Sequence, residues 1–237
     1  MLVIGDVHGE LELLKAMISN VNDENVYLVG DLIDRGEKSI EVLQYVMQKK
    51  LKTVKGNHEL SMLTYLQRKT KAGKAFWFSD GGEVTLKAYM LLTEIEQKDI
   101  LAYLSEVPLY YYIAELDVLI SHSGINPTKL SDDLQDMLKE HNAEDFTNIR
   151  SSFIYSGAIS YLNTSFLVGH TPSYEINADN GCKLLRKGNR FFLDTGATSS
   201  GVLGALQIIG NELTAHYVNE ELKYWNENFG YLREENK

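Results

Sequence analysis

Apolar positions recur at two periods along this chain, and the changes between them mark its elements. Short β-rich runs at Met1–Ile4, Val26–Val29 and Leu51–Val54 are each followed by a helical pattern, over Glu10–Ile18, Ser39–Lys49 and Glu59–Arg68. Compact runs bounded by turn formers read as buried strands, and apolar spacings of three and four read as amphipathic helices. The alternation is βαβαβ, which predicts an α/β fold with parallel central strands.

From Lys69 to Val107 the period is helical throughout, with Gly81-Gly82 opening one helix and Thr93-Glu94-Ile95-Glu96 offering a capping box for the next. This stretch reads as a helical insertion. Leu109–Ala114 and Asp117–Ser121 form a hairpin pattern, and Ser131–Ser152 is polar and helical, rich in acids on what should be a solvated face. A second strand-rich half follows, at Ser165–Val168, Arg190–Leu193, Val202–Ile209 and Glu212–Val218, joined by Gly-rich connections that suggest a mostly antiparallel sheet. After Asn219 the chain is charged, with Tyr224, Trp225, Phe229 and Tyr231 spaced to pin a terminal segment, 219–237, onto the body.

Composition narrows the picture. With 237 residues, 44% of them hydrophobic, the chain suits one substantial core, so 1–237 is read as a single domain. A formal charge of -10 argues against nucleic acid or an anionic membrane surface as partner, and leaves phosphate affinity to metals or a few arginines. Cys182 is the one cysteine, so no internal disulfide forms. No export signal or membrane-length apolar run stands out, and a cytoplasmic location is expected.

Candidate chemistry gathers in the corners after the strands. Gly30-Asp31-Leu32-Ile33-Asp34-Arg35-Gly36 sets two carboxylates and a guanidinium between glycines directly after a strand, where open α/β sheets bind ligands. Four of the six histidines occupy similar corners: His8, His58, His122 and His170. His141 and His216 lack such surroundings and are read as packing or surface residues. Asp6 and His8, one residue apart, can converge on one ion that Asp31 also reaches. Asn57, His122 and His170 offer a second set, with Asp31 as the bridge. Imidazole and carboxylate without thiolate suit Mn, Fe, Zn or Ni, and two ions sharing a carboxylate are an established arrangement for displacement at phosphorus.

Gly5-Asp6-Val7-His8-Gly9, Gly30-Asp31 through Asp34-Arg35-Gly36, and Gly56-Asn57-His58-Glu59 resemble the three signature blocks of the phosphoprotein phosphatase family of metallophosphoesterases. Ser121-His122-Ser123-Gly124, Gly169-His170-Thr171-Pro172, Asp194-Thr195-Gly196-Ala197 and Trp77-Phe78-Ser79-Asp80-Gly81-Gly82 resemble its bacterial and bacteriophage branch, of the lambda phosphatase type. Ser123 departs from the family's usual alanine. The resemblance implies a calcineurin-like four-layer β-sandwich flanked by helices. It makes Asp6, His8 and Asp31 ligands of one ion and Asp31, Asn57, His122 and His170 ligands of the other, with Mn2+ the first choice. It also implies His58 as general acid, Asp34 as its orienting carboxylate, and Arg35 with Arg150 as phosphate-holding groups. No eukaryotic-type regulatory subunit is expected, because the tyrosine-bearing loop of the eukaryotic enzymes is missing.

The expected activity is hydrolysis of phosphoserine and phosphothreonine in proteins or peptides, by direct attack of water activated between two ions. The alternative is a symmetrical bis(5'-nucleosyl)-tetraphosphatase, which shares these motifs and acts on a small phosphoester. A third reading, an inactive metal-binding scaffold, sits poorly with a chain that keeps every ligand together with His58, Asp34 and Arg35.

Overall fold

The computed structural model describes residues 1–131 and 133–233. Its strands are β1 (Leu2–Ile4), β2 (Val26–Leu28), β3 (Lys52–Thr53), β4 (Tyr110–Ile113), β5 (Val118–Ser121), β6 (Ser165–Val168), β7 (Leu185–Lys187), β8 (Arg190–Phe192), β9 (Val202–Ile209), β10 (Glu212–Asn219) and β11 (Tyr224–Tyr231). They form a six-stranded sheet, β11-β10-β9-β1-β2-β3, and a five-stranded sheet, β4-β5-β6-β8-β7.

Side chains alternate across a strand, and that period of two builds the layers. In β1, Val3 points between the sheets while Leu2 and Ile4 point to the opposite face; in β6, Leu167 points inward while Phe166 and Val168 point outward. The core between the sheets joins Val3, Tyr27, Val29 and Leu206 to Val118, Ile120, Leu167 and Phe191. Helices cover both outer faces. The first sheet carries α1 (Leu11–Val21), α2 (Ser39–Lys49), α3 (Asn57–Arg68), α4 (Lys71–Ser79), α5 (Gly82–Tyr89) and α6 (Glu94–Glu106). The second is covered by α7 (Leu134–Glu140), α8 (Ala143–Thr147) and α9 (Ser151–Ile154), followed in the chain by α10 (Ser173–Ile176) and α11 (Ala197–Ser200). This is the calcineurin-like layering of helices, sheet, sheet and helices.

Two expectations need correction. The second half does not make one antiparallel sheet: β5, β6 and β8 run parallel to one another, whereas β9 returns to the first sheet, antiparallel to β1. Short continuous runs such as Ser165–Val168 carry no direction of their own, because the direction is set by the partner. In the Ser131–Ser152 stretch, apart from residue 132 outside the described set, Asp133, Asp136, Glu140 and Glu144 are exposed as expected, but Asp145 is buried, while Met137, Leu138 and Phe146 pack under the outer sheet. The terminal aromatics are pinned as expected, and they are so as a full edge strand: β11 pairs with β10, with Trp225 stacked on Tyr217 and Tyr224 on His216. Among the described residues no helix is long and apolar enough to cross a membrane.

The parallel cores of both sheets matter for function. β1, β2 and β3 run together, as do β5, β6 and β8, so the loops at their carboxyl ends collect along one edge.

Candidate active site

The corner after each of these strands turns sharply enough to aim a side chain inward. His8, Asp31, Asp34, Arg35 and His170 all have positive φ, between 45° and 71°. Left-handed backbone is costly for such residues and persists only where the surroundings enforce it, typically at functional sites. The enforcement is visible. Glu59, buried at the start of α3, accepts the backbone N–H groups of Asp31 (2.9 Å), Leu32 (2.8 Å) and Gly56 (2.8 Å), tying the second loop to the third. The backbone N–H groups of Val7 and His8 both donate to Asp31 O, at 3.1 and 2.9 Å, tying the first loop to the second. Gly56 and Gly169 are required by contact: a Cβ at either would collide with the carboxylate of Asp31 or Asp6 respectively.

Two groups of ligand atoms result, one from His8, Asp31 and His58 and one from Asp31, His122 and His170, each within 4.8 Å and each fully buried. Asp31 is common to both, as the sequence suggests. His8 Nδ1 donates to Ile33 O (2.7 Å) and His122 Nδ1 to Val29 O (2.8 Å), so each ring turns its Nε2 inward. His122 Nε2 there faces Asn57 Oδ1 at 2.9 Å, Asp31 Oδ2 at 3.2 Å and His170 Nδ1 at 3.1 Å. Asp6, expected in the first set, is in neither group, and His58 stands there with His8 and Asp31: the Asp6 Oδ2 accepts from the His170 backbone, while its Oδ1 has no partner among the described residues, nor has His170 Nε2.

Lone pairs facing oxygen acceptors in a dry pocket repel one another, and a divalent cation removes that repulsion. The charge balance says the same. Burial, with Asp194 and Asp31 nearby, pushes the Asp6 carboxyl well above its ordinary range; burial and Asp31 likewise bring Glu59 up to about 7. Asp31 itself is held well below the usual range, because His122 and His58 outweigh its burial. Burial lowers His8 to about 3 and drives His170 down as well, keeping both rings neutral and able to ligate. The donor set therefore fits a pair of cations, and no thiolate takes part.

His58 is held differently. Its Nδ1 donates to Asp34 Oδ2 at 2.8 Å, and the same oxygen accepts Trp77 Nε1–H at 2.7 Å while Thr85 Oγ1 donates to Oδ1. Burial would lower the ring's pKa, but the Asp31 and Asp34 carboxylates raise it to about 9. Arg35 spans the mouth of the first group, its Nη1 2.9 Å from His8 Nε2 and its Nη2 3.2 Å from His58 Nε2. Only a ring nitrogen with a free lone pair accepts these contacts, and the same Nη2 also lies 3.4 Å from Asp80 Oδ1.

Arg150, at the Asn148–Phe153 corner, reaches the same place from the other sheet, with Nη1 donating to Thr171 Oγ1 at 3.1 Å. Arg35 and Arg150 line one cleft of about 460 Å³ together with His8, His170, Tyr174 and Asp194. All ten residues singled out from sequence thus border one centre. Glu59, Trp77 and Thr85 were legible only as parts of motifs or helices, and Asp194 only as part of a loop. His141 and His216 stand apart, the first bonded to Met137 O and the second stacked on Tyr224.

The pattern of the calcineurin-like phosphoesterases matches residues 1–198, a span that contains this whole centre. The chain belongs to that family. The two buried groups of imidazole and carboxylate side chains able to hold metal ions lie within the matched span. It is 27% identical over 157 residues to the symmetrical bis(5'-nucleosyl)-tetraphosphatase of a Marinomonas strain, a match covering 61% of this chain and 54% of the relative. It is 29% identical over 218 residues to the asymmetrical bis(5'-nucleosyl)-tetraphosphatase PrpE of Oceanobacillus iheyensis, covering 76% and 83%. The chain thus spans about half the length of the symmetrical relative and most of the asymmetrical one. A metallophosphoesterase from Sphaerobacter thermophilus shares the fold, with a TM-score of 0.51, 16% identity, and 98% and 89% of the two chains covered. The Marinomonas relative bears the name of the second sequence reading and the Oceanobacillus relative that of an asymmetrical counterpart, while neither phosphoprotein hydrolysis nor the lambda-type branch finds support among them.

Proposed function

We propose that this phosphoesterase hydrolyses bis(5'-nucleosyl) tetraphosphates, splitting the phosphate chain of a small dinucleotide substrate. The observation that carries this reading is the cleft lined by both Arg35 and Arg150 beside His8 and His170, together with the names of the relatives. Two guanidiniums suit a chain of several phosphates, each able to take a phosphoryl group bidentately.

Asp6, His8 and Asp31 would hold one divalent ion and Asp31, Asn57, His122 and His170 the other. Bound there, the pair supplies Lewis-acid polarisation of the phosphoryl group and lowers the pKa of the attacking water. The rest is work for the protein's own groups. Arg35, leaving His8 and His58, takes phosphate oxygens as its new acceptors, and Arg150 holds the chain from the opposite wall. His58, charged through its contact with Asp34, donates from Nε2 to the leaving oxygen. Asp34 keeps that ring in place, itself anchored by Trp77 and Thr85.

The test is a panel of substrates with Mn2+-loaded protein, comparing diadenosine tetraphosphate, a phosphoserine peptide and 4-nitrophenyl phosphate, with products separated by ion exchange. Rapid conversion of the dinucleotide to ADP alone, or to ATP plus AMP, bears the proposal out and fixes the point of cleavage. Release of phosphate from the peptide with no turnover of the dinucleotide overturns it.

A further inference from the structure

A second cavity, of about 190 Å³, begins at the ligand candidate Asn57 and shares no lining residue with the arginine cleft. Its floor is one face of α3. Asn57, Leu60, Ser61 and Thr64 stand at i, i+3, i+4 and i+7, so the floor leads about 10 Å along the helix away from the ligand groups. One wall is Phe76, a residue 66% exposed. A large aromatic so exposed on a helix whose Trp77 is fully buried is a surface without an internal partner.

The opposite wall is polar. Glu144 and Asn148, a turn apart at the end of α8, meet through Asn148 Nδ2 and Glu144 Oε2 at 2.8 Å. That bond leaves Glu144 Oε1 and Asn148 Oδ1 as acceptors, and the Ser61 and Thr64 hydroxyls make no hydrogen bond among the described residues. The lining holds a carboxylate and no cation. Phosphate is therefore disfavoured in this cavity, whereas the other, though it includes Glu175 and Asp194, supplies the Arg35 and Arg150 guanidiniums. Two residues beyond Asn148, the backbone delivers Arg150 to that other cleft, so one short segment borders both.

We propose that this cavity is a nucleobase subsite in which Phe76 stacks on the base and Glu144 with Asn148 accept from its exocyclic amino group. The proposal rests on the dinucleotide reading and deepens it: the phosphate chain lies against the arginines and one nucleoside end reaches along α3. Base stacking on an aromatic ring is the strongest term available here, and it tolerates any flat base, with the acceptors favouring adenine or cytosine over uracil. The cavity is below the roughly 300–1,000 Å³ typical of sites that enclose a whole small ligand, and suits a single ring system entering from the centre.

The experiment is calorimetric titration of the Mn2+-loaded protein with ADP, UDP and inorganic pyrophosphate, which reads the subsite whether or not the dinucleotide is hydrolysed. Wild type should bind ADP more tightly than UDP or pyrophosphate. Phe76→Ala should weaken ADP by about fivefold or more while pyrophosphate affinity stays as it was, and Phe76→Trp should restore ADP binding. Glu144→Gln, which keeps one acceptor, should narrow the gap between ADP and UDP. Equal ADP affinity in wild type and Phe76→Ala, or parallel losses for ADP and pyrophosphate, overturns the subsite. Failure of the function reading looks different: no turnover of diadenosine tetraphosphate in the panel above, with the ADP titrations unaffected.

Discussion

Asp194 enters the sequence reading only as part of a family-like block with no role of its own, yet its carboxylate is buried beside the ligand groups and its pKa is pushed up to about 6, chiefly by burial and then by the charge of Asp31, against one stabilising N–H from Gly196. A carboxyl whose folded pKa lies above its unfolded value holds its proton better in the native state, so stability is lost as pH rises from about 4 through 6. Asp194→Asn keeps the Oδ1 acceptor and removes the charge. In chelator-treated protein the variant should gain on wild type as pH climbs from 4 to 8, reaching on the order of 2 kcal/mol. Urea unfolding at a series of pH values checks this, and a difference independent of pH would mean that Asp194 is not titrating.

The elements that matter most for the site are the helices α4 and α5, since they contribute no ligand and still determine what His58 can do. Trp77 and Thr85 converge on Asp34, giving this fully buried carboxylate its donors besides His58. Gly82 has no Cβ because one would press into the Trp77 indole, and that close approach sets α5 against α4. Trp77→Phe preserves most of the packing and deletes the N–H. The expected cost is about 1–3 kcal/mol in stability, from an under-satisfied buried carboxylate. A fall in kcat with little change in KM should accompany it, because His58 loses orientation and phosphate binding does not. A KM effect instead would place Trp77 in substrate binding.

Across the whole molecule, the two sheets meet at their carboxyl edge in one buried cluster of ligand groups, in which Asp6 Oδ1 and His170 Nε2 have no partner among the described residues. The loops after β1 and β2 bring Asp6, His8 and Asp31, whereas those after β5 and β6 bring His122 and His170. Ions bound between the sheets therefore act as a clasp, stabilising the native state by mass action. At a hundredfold excess over Kd, Mn2+ should add about 2.7 kcal/mol, or roughly 5–10 °C in Tm for a chain of this size. Asp31→Asn, which weakens both ligand sets at once, should lose most of the shift. Scanning calorimetry with and without chelator reads it, and an unchanged Tm for wild type would count against a paired centre.

The sequence by itself determined the local parts. Periods of two and of three to four fix which residues face inward, and the corners Gly5–Gly9, Gly30–Gly36 and Gly56–Glu59 declare their ligands within a few residues of each other, because chain connectivity alone keeps Asp6 near His8 and Asp31 near Asp34. Tertiary structure decided what connectivity cannot: that β5, β6 and β8 run parallel, that β9 crosses back beside β1, and that Trp77, Thr85 and Asp194 close in on charges more than forty residues away in the chain. Such partners carry no local signature, since a buried indole or threonine looks the same in sequence whether it meets a leucine or a carboxylate.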